Sequence, residues 1–202
     1  MIKEIVVFAN SVKHENSCVA GKCTKTKEWI RPVSNAQGGE ISNEQTIKAS
    51  GYRLQILDKV KVDLSHHAPL DHQTENHVIN QTQWIDAFRI RKHQVEDYLD
   101  APDNLWGVGD RVSHDEIVNN QEVTNSLYLV KVEELELFKN RYDKRRARFS
   151  YGGINYDLAV TGREFDKHFV TNSTLLRDVI ICVSLGENYE GNCYKLVASI
   201  IC

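Results

Sequence analysis

The 202-residue chain is short of several things that would narrow its function. It has no basic excess: 25 Lys and Arg stand against 28 Asp and Glu, a formal charge of −3. A protein whose whole field draws polyanions is thereby excluded, and any binding of nucleic acid has to rest on a local patch. No apolar run is long enough to cross a bilayer as a helix, so no membrane partner is expected. A Walker loop, a G-x-S-x-G elbow, an H-E-x-x-H pair and a Gly-rich dinucleotide fingerprint are all missing. The acidic pair Glu133-Glu134 lies in an extended run, where neighbours face opposite sides and cannot share acid-base work. The expectation is a protein that is not an enzyme and takes no cofactor. Five cysteines, Cys18, Cys23, Cys182, Cys193 and Cys202, make an odd set. Neither they, nor His14, nor the loose group His66, His67, His72 and His77, keep the paired spacing of a closed metal site. Residues 1–8 read as a first strand broken by a carboxylate rather than as a signal peptide. The expected compartment is therefore the reducing cytoplasm, with the thiols free.

What is present is strand pattern, and it is clearest in the second half. Residues 128–132 alternate with period two, and Leu135 and Leu137 resume the alternation on the other parity. The slip at Glu133-Glu134 predicts a β-bulge. Gly152-Gly153 tolerates positive φ twice and predicts a tight hairpin. Ala147, Phe149 and Tyr151 share the apolar face of the strand before it, which puts Arg146 and Arg148 on the other face. Thr161-Gly162-Arg163-Glu164 matches a capping box, and a short helix should follow, anchored by Phe165 and Phe169 four residues apart. Apolar, β-branched runs at 179–185 and 194–201 supply two more strands. Three strands, a short helix and two strands is the element order of an OB barrel. The first half opens in the same style, with strands at 2–9, 18–23 and 28–33, a strand pair or one long bent strand at 53–64, and a helix near 94–99 that Asp100-Ala101-Pro102-Asp103 ends. The polar stretch 107–125 reads as the connection. The expected fold is all-β with minor helices, two consecutive OB barrels: residues 1–118 with a helical insertion, and residues 119–202.

Several phrases form a set: Val19-Ala20-Gly21, Trp29-Ile30-Arg31-Pro32-Val33-Ser34, Tyr98-Leu99-Asp100-Ala101-Pro102, Leu105-Trp106-Gly107, Cys182-Val183-Ser184-Leu185-Gly186-Glu187 and Tyr194-Lys195-Leu196-Val197-Ala198. With residues 149–161 they resemble the bacterial dual OB-containing domain family, over nearly the whole chain. The resemblance implies two OB folds and a role in binding nucleic acid or a nucleotide, often beside other modules in bacterial conflict or defence systems. It brings no catalytic residues.

Two stretches are candidate binding sites. Residues 139–149 concentrate positive charge in an otherwise acidic chain, and Lys144, Arg145, Arg146 and Arg148 are placed to touch a nucleic-acid backbone, with Tyr142 or Tyr151 available for stacking. The alternative is a hairpin edge kept soluble by charge. Trp29 and Arg31 are two apart in a strand and share a side, a platform for a base or phosphate, with Lys13 and His14 in the preceding loop. The alternative is a core tryptophan beside an arginine paired with a carboxylate. The partner expected first is single-stranded DNA or RNA. The alternative is a nucleotide-sensing or protein-interaction module that binds no nucleic acid.

Overall fold

The computed structural model describes residues 1–13, 15–119 and 123–202. It divides into two compact units, Met1–Tyr98 and Leu99–Cys202. In the first unit, β1 (Ile2–Lys13), β2 (Asn16–Cys23), β3 (Trp29–Val33), β4 (Asp58–His67) and β5 (Asn76–Ile79) are ordered β1-β2-β3-β5-β4, and β4 pairs back onto β1. All pairings are antiparallel except β3 with β5. β6 (Ile85–Arg89) adds an outer strand on β4. In the second unit, β7 (Arg111–Ser113) and α1 (His114–Asn119) precede β8 (Leu127–Lys139), β9 (Arg145–Tyr151), β10 (Ile154–Val160), α2 (Phe165–His168), β11 (Ser173–Tyr189) and β12 (Asn192–Ile201). The order is β10-β9-β8-β11-β12, closed by a parallel β10–β12 pairing. Both units are closed five-strand barrels of OB connectivity, as the strand pattern predicts.

Closing a barrel requires its strands to bend, and the second barrel shows how. β8 and β11 keep one register from Ser173–Phe138 to Ser184–Leu127, with no inserted residue. The two strands switch parity together instead: Val132 and Leu135 are both buried on β8, and Asp178 opposite Glu133 takes φ +50°. The bulge expected at Glu133-Glu134 is thus a paired kink. The Gly152-Gly153 hairpin forms as predicted, with φ +56° and +74°. The capping box does not form. α2 is a single turn, Glu164 is its N-cap with no side-chain bond, and Thr161 Oγ1 has no partner. Phe165 and Phe169 do stack, with ring centroids 5.0 Å apart.

The units meet twenty residues before the 118/119 boundary expected from sequence, because the segment after Tyr98 is a structural part of barrel 2. Leu105, Trp106, Val112 and Ile117 lie in its core. Tyr156 Oη accepts from the Leu105 amide and donates to the Gly107 carbonyl, and Trp106 Nε1 donates to the Asn125 carbonyl. The buried Lys195 ammonium donates to the carbonyls of Gly107, Val108 and Gly109 at 2.7, 3.1 and 3.2 Å. Strand β7 then pairs with β12. A polar composition at 107–125 mimics a linker because what fastens its described residues, the Lys195 and Tyr156 side chains and the backbone of β12, lies far away in the sequence.

No helix among the described residues is long and apolar enough to cross a membrane, which says nothing of β-barrel spans.

Candidate nucleic-acid interface

An OB barrel offers a ligand the outward face of its second and third strands and the loops between strands one and two and between strands four and five. In barrel 2 this is the face of β9 and β10, flanked by the loops 140–144 and 190–191. Alternation puts Arg146, Arg148 and Ser150 outward on β9, as expected, but it also puts Asp157 outward on β10 and Glu136 outward on β8. Register then sets Glu136, Arg148 and Asp157 side by side on three neighbouring strands. Arg148 bonds Glu136 at 2.8 Å and approaches Asp157 at 3.5 Å, while Arg146 Nε donates to Asp157 at 2.7 Å and its Nη2 to the Asp157 carbonyl at 2.6 Å. Arg145 bonds Asp166 at 2.5 Å, and Arg177 on β11 meets Glu134 at 3.3 Å. Such cross-strand pairs neutralise one another and stabilise the sheet surface. The picture of Arg145, Arg146 and Arg148 as a free cationic patch is corrected: each is matched by an acid. Tyr151 is half-buried against the barrel 2 core, and its hydroxyl donates to the Pro102 carbonyl.

Positive charge survives at the turn between β8 and β9. Asn140 builds that turn, its Oδ1 accepting from the amides of Tyr142 and Lys144, with Asp143 at φ +58°. Residues in the turn have no residue opposite them on a neighbouring strand, so the ladder of acids ends where the turn begins. Tyr142 is 66% exposed, and the Arg141 guanidinium lies 4.7 Å from its ring centroid. Lys144 is exposed, and so is Lys167 on α2, which the Arg145–Asp166 pair ties to the start of β9. Among the described residues Arg141, Lys144 and Lys167 have no carboxylate within ion-pair distance; Lys139 is bridged to Asp143. The other flanking element carries the opposite sign, since the β11–β12 hairpin exposes Glu187 and Glu190 around Tyr189. Of the residues singled out from sequence, Lys144 and the neighbouring Tyr142 are therefore open to a ligand. Arg141 and Lys167 join them; Arg141 lies inside the predicted basic stretch, whereas Lys167 is brought in only by the fold.

Barrel 1 presents the same face closed. Ile5, Val6, Val7 and Phe8 are all fully buried, so both sides of β1 are covered, the barrel interior on one and the chain's own segments on the other. Trp29 and Arg31 share a side as predicted, but they are 5% and 9% exposed. The Arg31 guanidinium bonds Glu75 at 3.1 Å, in the loop between β4 and β5. Trp29 meets Phe8 edge-on at 6.2 Å, below the 3-10 turn Lys92–Tyr98, which stands where a helix was expected near 94–99. As open ligand contacts both are corrected, and Arg31 and the barrel 2 arginines belong to different units. His14 lies outside the described residues. His67 and His77 pack at 4.7 Å, and each ring holds a backbone carbonyl, of Thr74 and Glu75. No group of three His, Cys, Asp or Glu side chains able to hold a metal occurs among the described residues, and the five cysteines are free.

No curated protein matches the chain. Among solved structures, the tetrameric p202 HIN2 aligns over 100% of this chain and 92% of its own, at 8% identity and a TM-score of 0.35, a likeness too distant to bear on function. The dual OB-containing domain model matches residues 3–200. With two closed five-strand barrels in that span, the chain belongs to the dual OB-containing domain family.

Proposed function

We infer that the chain is a binding module, not an enzyme, and that it takes single-stranded DNA or RNA at the β8–β9 turn of barrel 2 rather than on the strand face. One observation carries this reading. Among the described residues Arg141 and Lys144, beside an exposed tyrosine ring, and Lys167 on α2 have no ion-pair partner, while the strand-face arginines are each matched by an acid. Phosphates would meet the cations and a base would lie against Tyr142, a sequence-tolerant mode that OB surfaces use. With so few free cations, binding is expected to be weak at physiological salt. Anisotropy of labelled oligothymidylate and oligouridylate tests it. Joint Arg141→Ala, Tyr142→Ala and Lys144→Ala is expected to weaken binding by about tenfold or more, and joint Arg146→Ala and Arg148→Ala to leave it unchanged. An unaffected first variant, or equal losses in both, overturns the reading.

A protein-interaction role has its own support in β6, which among the described residues pairs only with β4, is exposed along its whole length and leaves Ile85 and Phe88 largely exposed. Such an edge suits an added strand from a partner. Its signature is complex formation that survives high salt.

A further inference from the structure

We propose that barrel 1 carries a second, nucleotide-sized site, formed by Phe8, Lys22, Lys27 and Trp29, and that the chain's own Tyr98 occupies it. The proposal rests on the nucleic-acid reading above for its ligand class, but on a different barrel and different residues. The outward face of a barrel is where polar side chains belong, yet here β1, β2 and β3 place Phe8, Lys22 and Trp29 on it together. Tyr98 fills the space they leave. Its ring lies 5.2 Å from that of Phe8, and the Lys27 ammonium stands 3.5 Å from its centroid. Lys22 Nζ donates 2.8 Å to the Tyr98 carbonyl and lies 5.1 Å from the Trp29 ring centroid. A planar ring against an aromatic, a cation on its face and an oxygen held by a second ammonium are the contacts a base and its phosphate would make.

The occupant is also replaceable by construction. It ends a seven-residue 3-10 segment, whose hydrogen-bond geometry is poorer than that of an α-helix. Tyr98 holds the site because it is tethered and its effective concentration is high, so a free nucleotide has to compete with it. A site of this kind stays closed to dilute nucleotide and opens when the segment 92–98 is drawn away.

The test uses the full chain with Arg141, Tyr142 and Lys144 changed to alanine, so that the barrel 2 site is weakened, and adds Tyr98→Ala. AMP and a short oligothymidylate are titrated against tryptophan emission, with Trp29→Phe identifying the reporting ring. Saturable quenching at least about tenfold tighter than in the parent with Tyr98, lost again on adding Lys22→Met, supports the proposal. A folded Tyr98→Ala protein that binds no tighter overturns it. If that variant does not fold, hydrogen exchange of residues 92–98 in the parent decides: faster exchange with rising AMP supports it, and unchanged exchange overturns it. Binding at the β8–β9 turn is measured separately in the unmodified chain, so either site can fail without the other.

Discussion

The salt dependence of binding is the sharpest consequence of the charge arrangement in barrel 2. Each cation that neutralises a phosphate of a single strand releases condensed counterions, and the logarithm of affinity falls with the logarithm of salt at a slope of about −0.7 per contact. With Arg141 and Lys144 at the β8–β9 turn and Lys167 on α2 as the cations without an ion-pair partner, the expected slope is about −2, a loss of roughly twentyfold between about 50 and about 200 mM salt. Removing Arg141 and Lys144 leaves one contact and a slope of about −0.7, with a loss of less than about threefold over the same range. Arg146 and Arg148 are tied to Asp157 and Glu136, so replacing them leaves the slope where it was. Anisotropy of a labelled oligothymidylate at four or five salt concentrations gives all three slopes. A wild-type slope near −4, or a slope reduced by Arg146→Ala and Arg148→Ala, would mean that ligand phosphates displace the carboxylates, and the assignment to the turn would fail.

Replacing Arg146 and Arg148 should cost about 1 kcal/mol in urea unfolding, since these are largely surface pairs. Burial pushes the Lys195 ammonium down from 10.5 to about 8, so between those values the unfolded chain holds a proton that the folded chain has lost. Stability due to this group therefore rises with pH across that window, by about 3 kcal/mol. The difference between wild type and Lys195→Met isolates the effect from Cys193, which burial pushes up to about 11 and which acts in the opposite sense; a flat difference curve refutes it. Burial also raises the Glu164 carboxyl, whose Oε2 has no hydrogen-bond partner, so its contribution is lost as pH rises above the ordinary carboxylate range. Glu164→Gln should be the more stable protein at neutral pH and lose that advantage in acid, as thermal melts at both pH values would report. Gly152→Ala would set a Cβ 2.1 Å from the Asp103 carbonyl oxygen at φ +56°, whereas Gly153→Ala meets nothing and carries only the cost of φ +74°. The second should lose about 1 kcal/mol and the first at least twice that in chemical unfolding.

The barrels were legible in the letters because each rule that announces them is local. Alternation along 128–132 sets which side chains face inward, two glycines with positive φ make the β9–β10 turn, and the order of strands and short helix names the topology. The same alternation correctly turned Arg146 and Arg148 outward. It could not say that Asp157 and Glu136 would lie beside them, because those neighbours come from β10 and β8 and their alignment is a matter of register. Likewise Trp29 and Arg31 share a side from spacing alone, but the Glu75 loop and Tyr98 that cover them are 44 and 69 positions away. Lys195, which carries no motif, fastens the segment that composition presents as a linker.

What the sequence determined by itself was which way each side chain points from its own strand, a property of backbone geometry repeating every two residues. What only the tertiary structure decided was which charges remain unopposed, because a charge is cancelled by whatever stands within a few ångströms of it in space, and barrel closure chooses those neighbours. For this reason the candidate site moved from the strand face to the turn where the cross-strand neighbours run out.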